Sequence, residues 1–94
     1  MAFRSTVRYW NPDKPSGLAV ADIPAELVPA LGGLKQRRVR GTINGVAYAS
    51  NVMPAGGGRL ALSVSKAMLA AGGAAVGDEA AFELELVPKD PAGA

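Results

Sequence analysis

The sequence predicts an all-β fold with two short helices: a small six-stranded split β-barrel made of two strand–helix–strand copies. Three observations lead there. The first is a hairpin over residues 36–53, QRRVRGTINGVAYASNVM, whose Asn44-Gly45 pair tolerates the positive φ that a type I′ turn requires. The second is the stretch Glu79 to Val87, where Ala80, Phe82, Leu84 and Leu86 alternate with Ala81, Glu83, Glu85 and Val87, the period of a half-buried strand. The third is an internal likeness. Placing Ile23 on Val64, an offset of 41 residues, aligns LAVADIPAELVPALGG with GRLALSVSKAMLAAGG, and each copy reads as strand, two-turn helix, glycine stop and strand.

Taken in order, Phe3 to Trp10 is the first strand, with Phe3, Ser5, Val7 and Tyr9 on one side and Arg4, Thr6, Arg8 and Trp10 on the other. Residues 11–17, NPDKPSG, are a loop by composition. Leu18 to Ile23 is a short strand. Pro24 suits the first helical position, where its missing N–H costs nothing, and Pro29 limits that helix to about two turns. Gly32-Gly33 stops it. In the hairpin, Ile43 is expected opposite Val46, Gly41 opposite Tyr48 and Val39 opposite Ser50, so the Tyr48 ring covers the space beside Gly41. Arg38, Arg40 and Thr42 then share the polar face with Asn51, Ala49 and Ala47. Residues 54–58, PAGGG, read as a flexible connection, and Arg59 to Val64 as a strand with Leu60, Leu62 and Val64 on one face. Ser65 is the N-cap of a helix over Lys66–Ala71 closed by Gly72-Gly73. Residues 1–88 form one domain, and 89–94 read as a flexible tail.

Composition narrows the chemistry. With 94 residues, 49% apolar and 19% charged, the chain suits one globular domain with one core. No apolar run approaches a membrane span, and the N-terminus lacks the apolar centre of a signal peptide, so a cytoplasmic location is expected, with no membrane partner. There is no cysteine and no histidine, which removes thiol nucleophiles, thiolate zinc sites and the commonest general base. No catalytic set, metal site or cofactor is expected. Charge is uneven: residues 1–50 hold seven cations against three carboxylates, and residues 51–94 three against five. That distribution means either a basic binding face or basic and acidic strands side by side in one sheet.

The order strand–Ile23-Pro24–short helix–basic strand, then Gly41-Thr42-Ile43-Asn44-Gly45, Gly56 to Arg59 leading into Leu62 to Lys66, and Gly77-Asp78 resembles a small bacterial domain of unknown function. Members of that family are found alone or joined to a YdeI/OmpD-associated segment. The resemblance spans Phe3 to Val87 and implies a split barrel with short helices at its ends. It carries no catalytic motif. The second half also resembles the AbrB/MazE type of swapped-hairpin DNA-binding domain in its scaffold positions, with Ser65 where proline is usual.

Candidate sites follow from these placements. Arg8, Arg37, Arg38 and Arg40 are the nucleic-acid candidates, with Lys35 beside them. Arg38 and Arg40 can track phosphates, or pair with Glu83 and Glu85. Trp10, Tyr48, Met53 and Phe82 are the candidates for lining an apolar lumen. Tyr9 and Trp10 beside Arg8 make a stacking platform for a planar ligand, or an ordinary strand end. Glu83 and Glu85, at i and i+2, lie on one face, which without further ligands reads as solvated. Gly56 to Arg59 lacks the ending of a phosphate loop and leads into a strand. Lys66 reads as an exposed helix lysine and Ser65 as a cap. The expected function is a non-enzymatic binding or interaction module for a small molecule or protein. The alternatives are a nucleic-acid-binding module using the basic strand, and a small barrel enzyme holding an organic substrate in its lumen. Self-association as a homodimer is a further possibility for so small a barrel with oppositely charged halves.

Overall fold

Asn44 and Gly45 take φ of 48° and 86°, the left-handed conformation the hairpin demands, in the computed structural model, which describes residues 1–11, 13 and 17–87. The strands they join are β3 (Arg37–Ile43) and β4 (Val46–Gly56). Their register pairs Ile43 with Val46, Gly41 with Tyr48, Val39 with Ser50 and Arg38 with Asn51, as the sequence predicts. The other elements are β1 (Ala2–Tyr9), β2 (Ala19–Asp22), β5 (Arg59–Val64), helix α1 (Lys66–Gly72) and β6 (Glu79–Leu86). All pairings are antiparallel, and the strands close into a barrel in the order β1-β2-β5-β4-β3-β6.

Inward residues fill the barrel. Val7, Val39, Ile43, Val52, Leu60, Leu62, Phe82 and Leu84 are all buried, each contributing about 1.5–3 kcal/mol by leaving water. Phe3 stacks on Phe82 with ring centroids 5.3 Å apart. Opposite Gly41 the β6 backbone comes so close that a Cβ there would sit 1.9 Å from the Glu83 carbonyl oxygen. The buried Tyr48, directly across from Gly41, donates its hydroxyl to that same carbonyl at 3.0 Å.

The repeat seen in sequence is present in space. Exchanging β1 with β4, β2 with β5 and β3 with β6 leaves the closed strand order unchanged. Both end-capping segments stop on a left-handed glycine, Gly32 and Gly73, at φ 85° and 65°; these two residues lie at the same offset that places Ile23 on Val64.

Two elements differ from expectation. The first helix is two 3₁₀ turns, Ala25–Leu27 and Pro29–Leu31. Pro29 has no N–H to bond back to Ala25, so the chain closes on three-residue steps, Val28 to Ala25 and Gly32 to Pro29. The second difference is the connection expected over residues 54–58. Strand β4 continues through Pro54 to Gly56, with an irregularity between the two, and only Gly57-Gly58 turns the chain. Proline is tolerated there because the ladder is already broken at the bulge. The tail expected at 89–94, and most of the loop at 11–17, lie outside the described residues.

Helix α1 is capped as predicted: the Ser65 hydroxyl accepts from the Met68 amide at 3.1 Å. Its far end is tied to the hairpin turn, where the Asn44 side-chain amide donates to the Gly72 carbonyl at 2.9 Å. Asn44 also accepts from the Ala81 amide at 2.9 Å, so one turn residue links α1 to β6. Among the described residues, no helix is long and apolar enough to cross a membrane.

Candidate functional site

The uneven charge resolves across neighbouring strands. Acidic β6 lies between β1 and β3. Arg4 pairs with Glu79 at 2.7 Å, Arg40 pairs with Glu85 at 2.7 Å, and the Thr42 hydroxyl donates to Glu83 at 3.0 Å. The four nucleic-acid candidates therefore do not form one row. Arg8 is on β1 and bound to Asp22, Arg40 is held by Glu85, and the Arg37 guanidinium folds over Gly32. Among the described residues only Arg37 and Arg38 of the four make no ion pair. Glu83 and Glu85 are both occupied in this way. No group of three or more Asp or Glu among the described residues is arranged to hold a metal ion.

The four lumen candidates are divided by the barrel wall. Phe82 and Tyr48 point inward and are buried. Met53 sits outward, beside Ala61, and Trp10 is exposed at the end of β1. Each of Tyr48 and Phe82 also borders a shallow surface groove, of about 420 and 460 Å³. Burial pushes the Tyr48 hydroxyl up to about 12, which keeps it a donor.

A different set of residues converges on the outside of the barrel. Arg8, Trp10, Asp22, Ala55 and Arg59 line a groove of about 620 Å³ across β1, β2, β5 and the end of β4. The Arg8 guanidinium binds Asp22 through two parallel hydrogen bonds, Nε to Oδ2 and Nη2 to Oδ1, both 2.8 Å. These bonds hold the Asp22 carboxyl below the usual carboxylate range; partial burial opposes that shift, and the nearby charges of Arg8 and Arg59 add to it. The same partnership raises Arg8. Arg59 thus brings a second guanidinium to a carboxylate already neutralised by the first.

The strand neighbours of Arg8 and Asp22 are buried. Arg8 lies beside Val20, and Asp22 beside Ala61. Val20 and Ala61 are fully buried, although alternation with the inward Ala19, Ala21, Leu60 and Leu62 turns them outward. A bidentate ion pair, a guanidinium that makes no ion pair among the described residues and an exposed indole can bind a flat anionic group.

The pair has no counterpart in the other half of the barrel. Exchange of the two halves puts Ser63 where Asp22 stands. It also puts Met53, the cross-strand neighbour of Ala61, where Arg8 neighbours Val20. From the sequence, Arg8 and Trp10 were visible as a platform. Asp22 and Arg59 were not, because Arg59 sits on the far side of a glycine turn and joins the groove only through the β2–β5 pairing. The available signal was the repeat: aligned at its offset, Asp22 falls on Ser63, a charged residue against an uncharged one.

A comparison with curated protein sequences finds no match. A family model does match, over residues 3–84, which takes in every strand but the ends of β1 and β6. The chain belongs to the family described as a domain of unknown function, DUF1905.

Proposed function

We propose that the protein is a non-enzymatic binding module that holds a small organic anion with a planar ring in the Arg8–Trp10–Asp22–Arg59 groove. The observation that carries this reading is the row of charge across three strands, Arg8 clamped to Asp22 with Arg59 beyond it, next to the exposed Trp10. The ring stacks on the indole. Its carboxylate or phosphate takes the Arg59 fork, and Asp22, with lone pairs to spare, accepts from any donor on the ligand. The absence of histidine and cysteine from the chain supports binding over catalysis. Nucleic-acid binding along β3 is the lesser reading, because Arg40 is already engaged.

Trp10 is the only tryptophan in the chain, so fluorescence excited at the red edge of its absorption reports on this groove alone. The test titrates a panel of aromatic carboxylates and mononucleotides, with benzamide as the neutral match for benzoate and a single-stranded oligonucleotide as the polymer arm. Saturable quenching by anions and not by benzamide, weakened about tenfold in Arg59→Ala, is expected. A groove indifferent to the whole panel, or binding unchanged in Arg59→Ala, overturns the reading.

A further inference from the structure

We infer a second binding site, for a medium-chain monocarboxylate, in the crevice between α1 and the barrel mouth at the β1–β2 end. This crevice has a volume of about 750 Å³, within the range of small-molecule sites. Its walls are apolar: Ala19 and Val64 at the mouth, Leu18 at the rim, Leu69 from α1 and Val76 from the following turn. It is separate from the Trp10 groove. Tyr9 lines the crevice and Trp10 lines the groove, so consecutive residues send their side chains to opposite faces of β1.

The crevice exists because α1 is seated off-centre. Asn44 holds the Gly72 carbonyl, and Gly72 packs so closely on Ile43 that a Cβ would approach its side chain to 3.2 Å. Both contacts draw the helix toward the β3–β4 turn and away from the β1–β2 end. Most residues facing the space so left are apolar, and Leu18 stays 45% exposed at its edge.

Among the described residues, Lys66 is the only charged one lining the crevice. Among the described residues it makes no ion pair. It occupies the first helical position of α1, where the positive end of the helix dipole disfavours a cation, so helix stability does not explain it. The neighbouring Ser65 hydroxyl is committed to the cap. One cation at the rim of an apolar crevice complements one carboxylate on an apolar chain. A dianion such as a phosphate monoester would leave negative charge unmatched.

The test is a titration of the isotope-labelled chain, followed by amide NMR, with decanoate and with decan-1-ol below their aggregation limits. Decanoate should give saturable shifts at Leu69, Ala70 and Val76 while the Arg59 amide, at the other groove, stays still. Decan-1-ol should bind about tenfold more weakly, the loss of one charge-assisted contact. Lys66→Gln, at an exposed site, should make the two ligands equal. Ala70→Trp, which fills the crevice from the exposed side of α1, should abolish both while the barrel amides keep their positions. Equal affinity of the native chain for acid and alcohol, shifts scattered over other faces, or no saturable binding of either would overturn the proposal. The Trp10 titration described above is read separately, so one site can fail without the other.

Discussion

The two halves of the barrel share a plan and differ in what they do with it. Advancing β3 by 41 residues places Gly41 on Phe82, and their partners across the sheet are Tyr48 and Phe3. In one half a phenylalanine stacks on another. In the other, a tyrosine lies over a glycine, and its hydroxyl reaches a carbonyl of β6. Both arrangements put one aromatic ring plus something beside it at the same place, and the volume is shared out differently. The end caps show the same pattern. Ser65 starts a true α-helix while its counterpart Pro24 starts a 3₁₀ segment, yet both segments end on a left-handed glycine. What the barrel needs is present twice; what occurs once is free to serve something else.

The most severe way to break this equivalence is to exchange the sizes at the paired positions. Phe82→Ala should cost about 3–5 kcal/mol in urea unfolding, a large cavity in a small core. Gly41→Ala should cost about 3 kcal/mol by the opposite mechanism, because a Cβ 1.9 Å from the Glu83 carbonyl forces β6 away. Equal tolerance of alanine at both sites would mean that the halves do not constrain each other as the register implies.

Tyr48→Phe tests the asymmetric hydroxyl. Removing it should cost about 1 kcal/mol at neutral pH, and it should also change the alkaline limb of stability. The folded value, pushed up to about 12 by burial, stands above the ordinary 10.0. Below 10 the contribution is complete. As pH rises toward 12 the unfolded chain ionises first, so stability falls across that window. The phenylalanine variant should lose this component of the slope. Ser65→Ala should cost a similar amount, about 1 kcal/mol, seen as loss of helical signal and of melting temperature. Pro29→Ala in the other cap should raise the helical signal, since it restores the N–H that would bond back to Ala25.

Much of this was legible in the chain. The Asn44-Gly45 turn and strict alternation determine the β3–β4 register residue by residue, because a slip by one would turn Val39 and Ile43 out to solvent. The repeat was readable because glycine stops and apolar positions recur at one spacing. The extent of β4 was not, since proline and three glycines argue for a loop while pairing with β5 holds Pro54 to Gly56 extended. The interior was harder still. Alternation places Trp10 on the side of Arg8, away from Val7, which is at odds with its place among the lumen candidates. Whether a barrel of small side chains keeps a lumen depends on how closely its strands approach, as at Gly41, and no local pattern encodes that distance. The groove of Arg8, Asp22 and Arg59 depends on three strands meeting, so only the fold could assemble it.

The smallest stability effect bears most on function. Arg8 and Asp22 are 39% and 37% exposed in their side chains, so solvent screening limits their pairing to below about 1 kcal/mol. The depressed Asp22 carboxyl contributes fully above its ordinary 3.8 and loses that contribution as pH falls below it. Asp22→Asn should flatten that part of the acid limb. The sharper variant borrows the other half's residues at the paired positions, Arg8→Met with Asp22→Ser. If the pair serves the groove, this double variant should fold with nearly the native melting temperature and an unchanged neutral-pH unfolding curve, while the Trp10 fluorescence response to aromatic anions disappears. If it unfolds at several kcal/mol less than the native chain, the ion pair holds β1 to β2, and its one-sided occurrence reflects structure instead of a site.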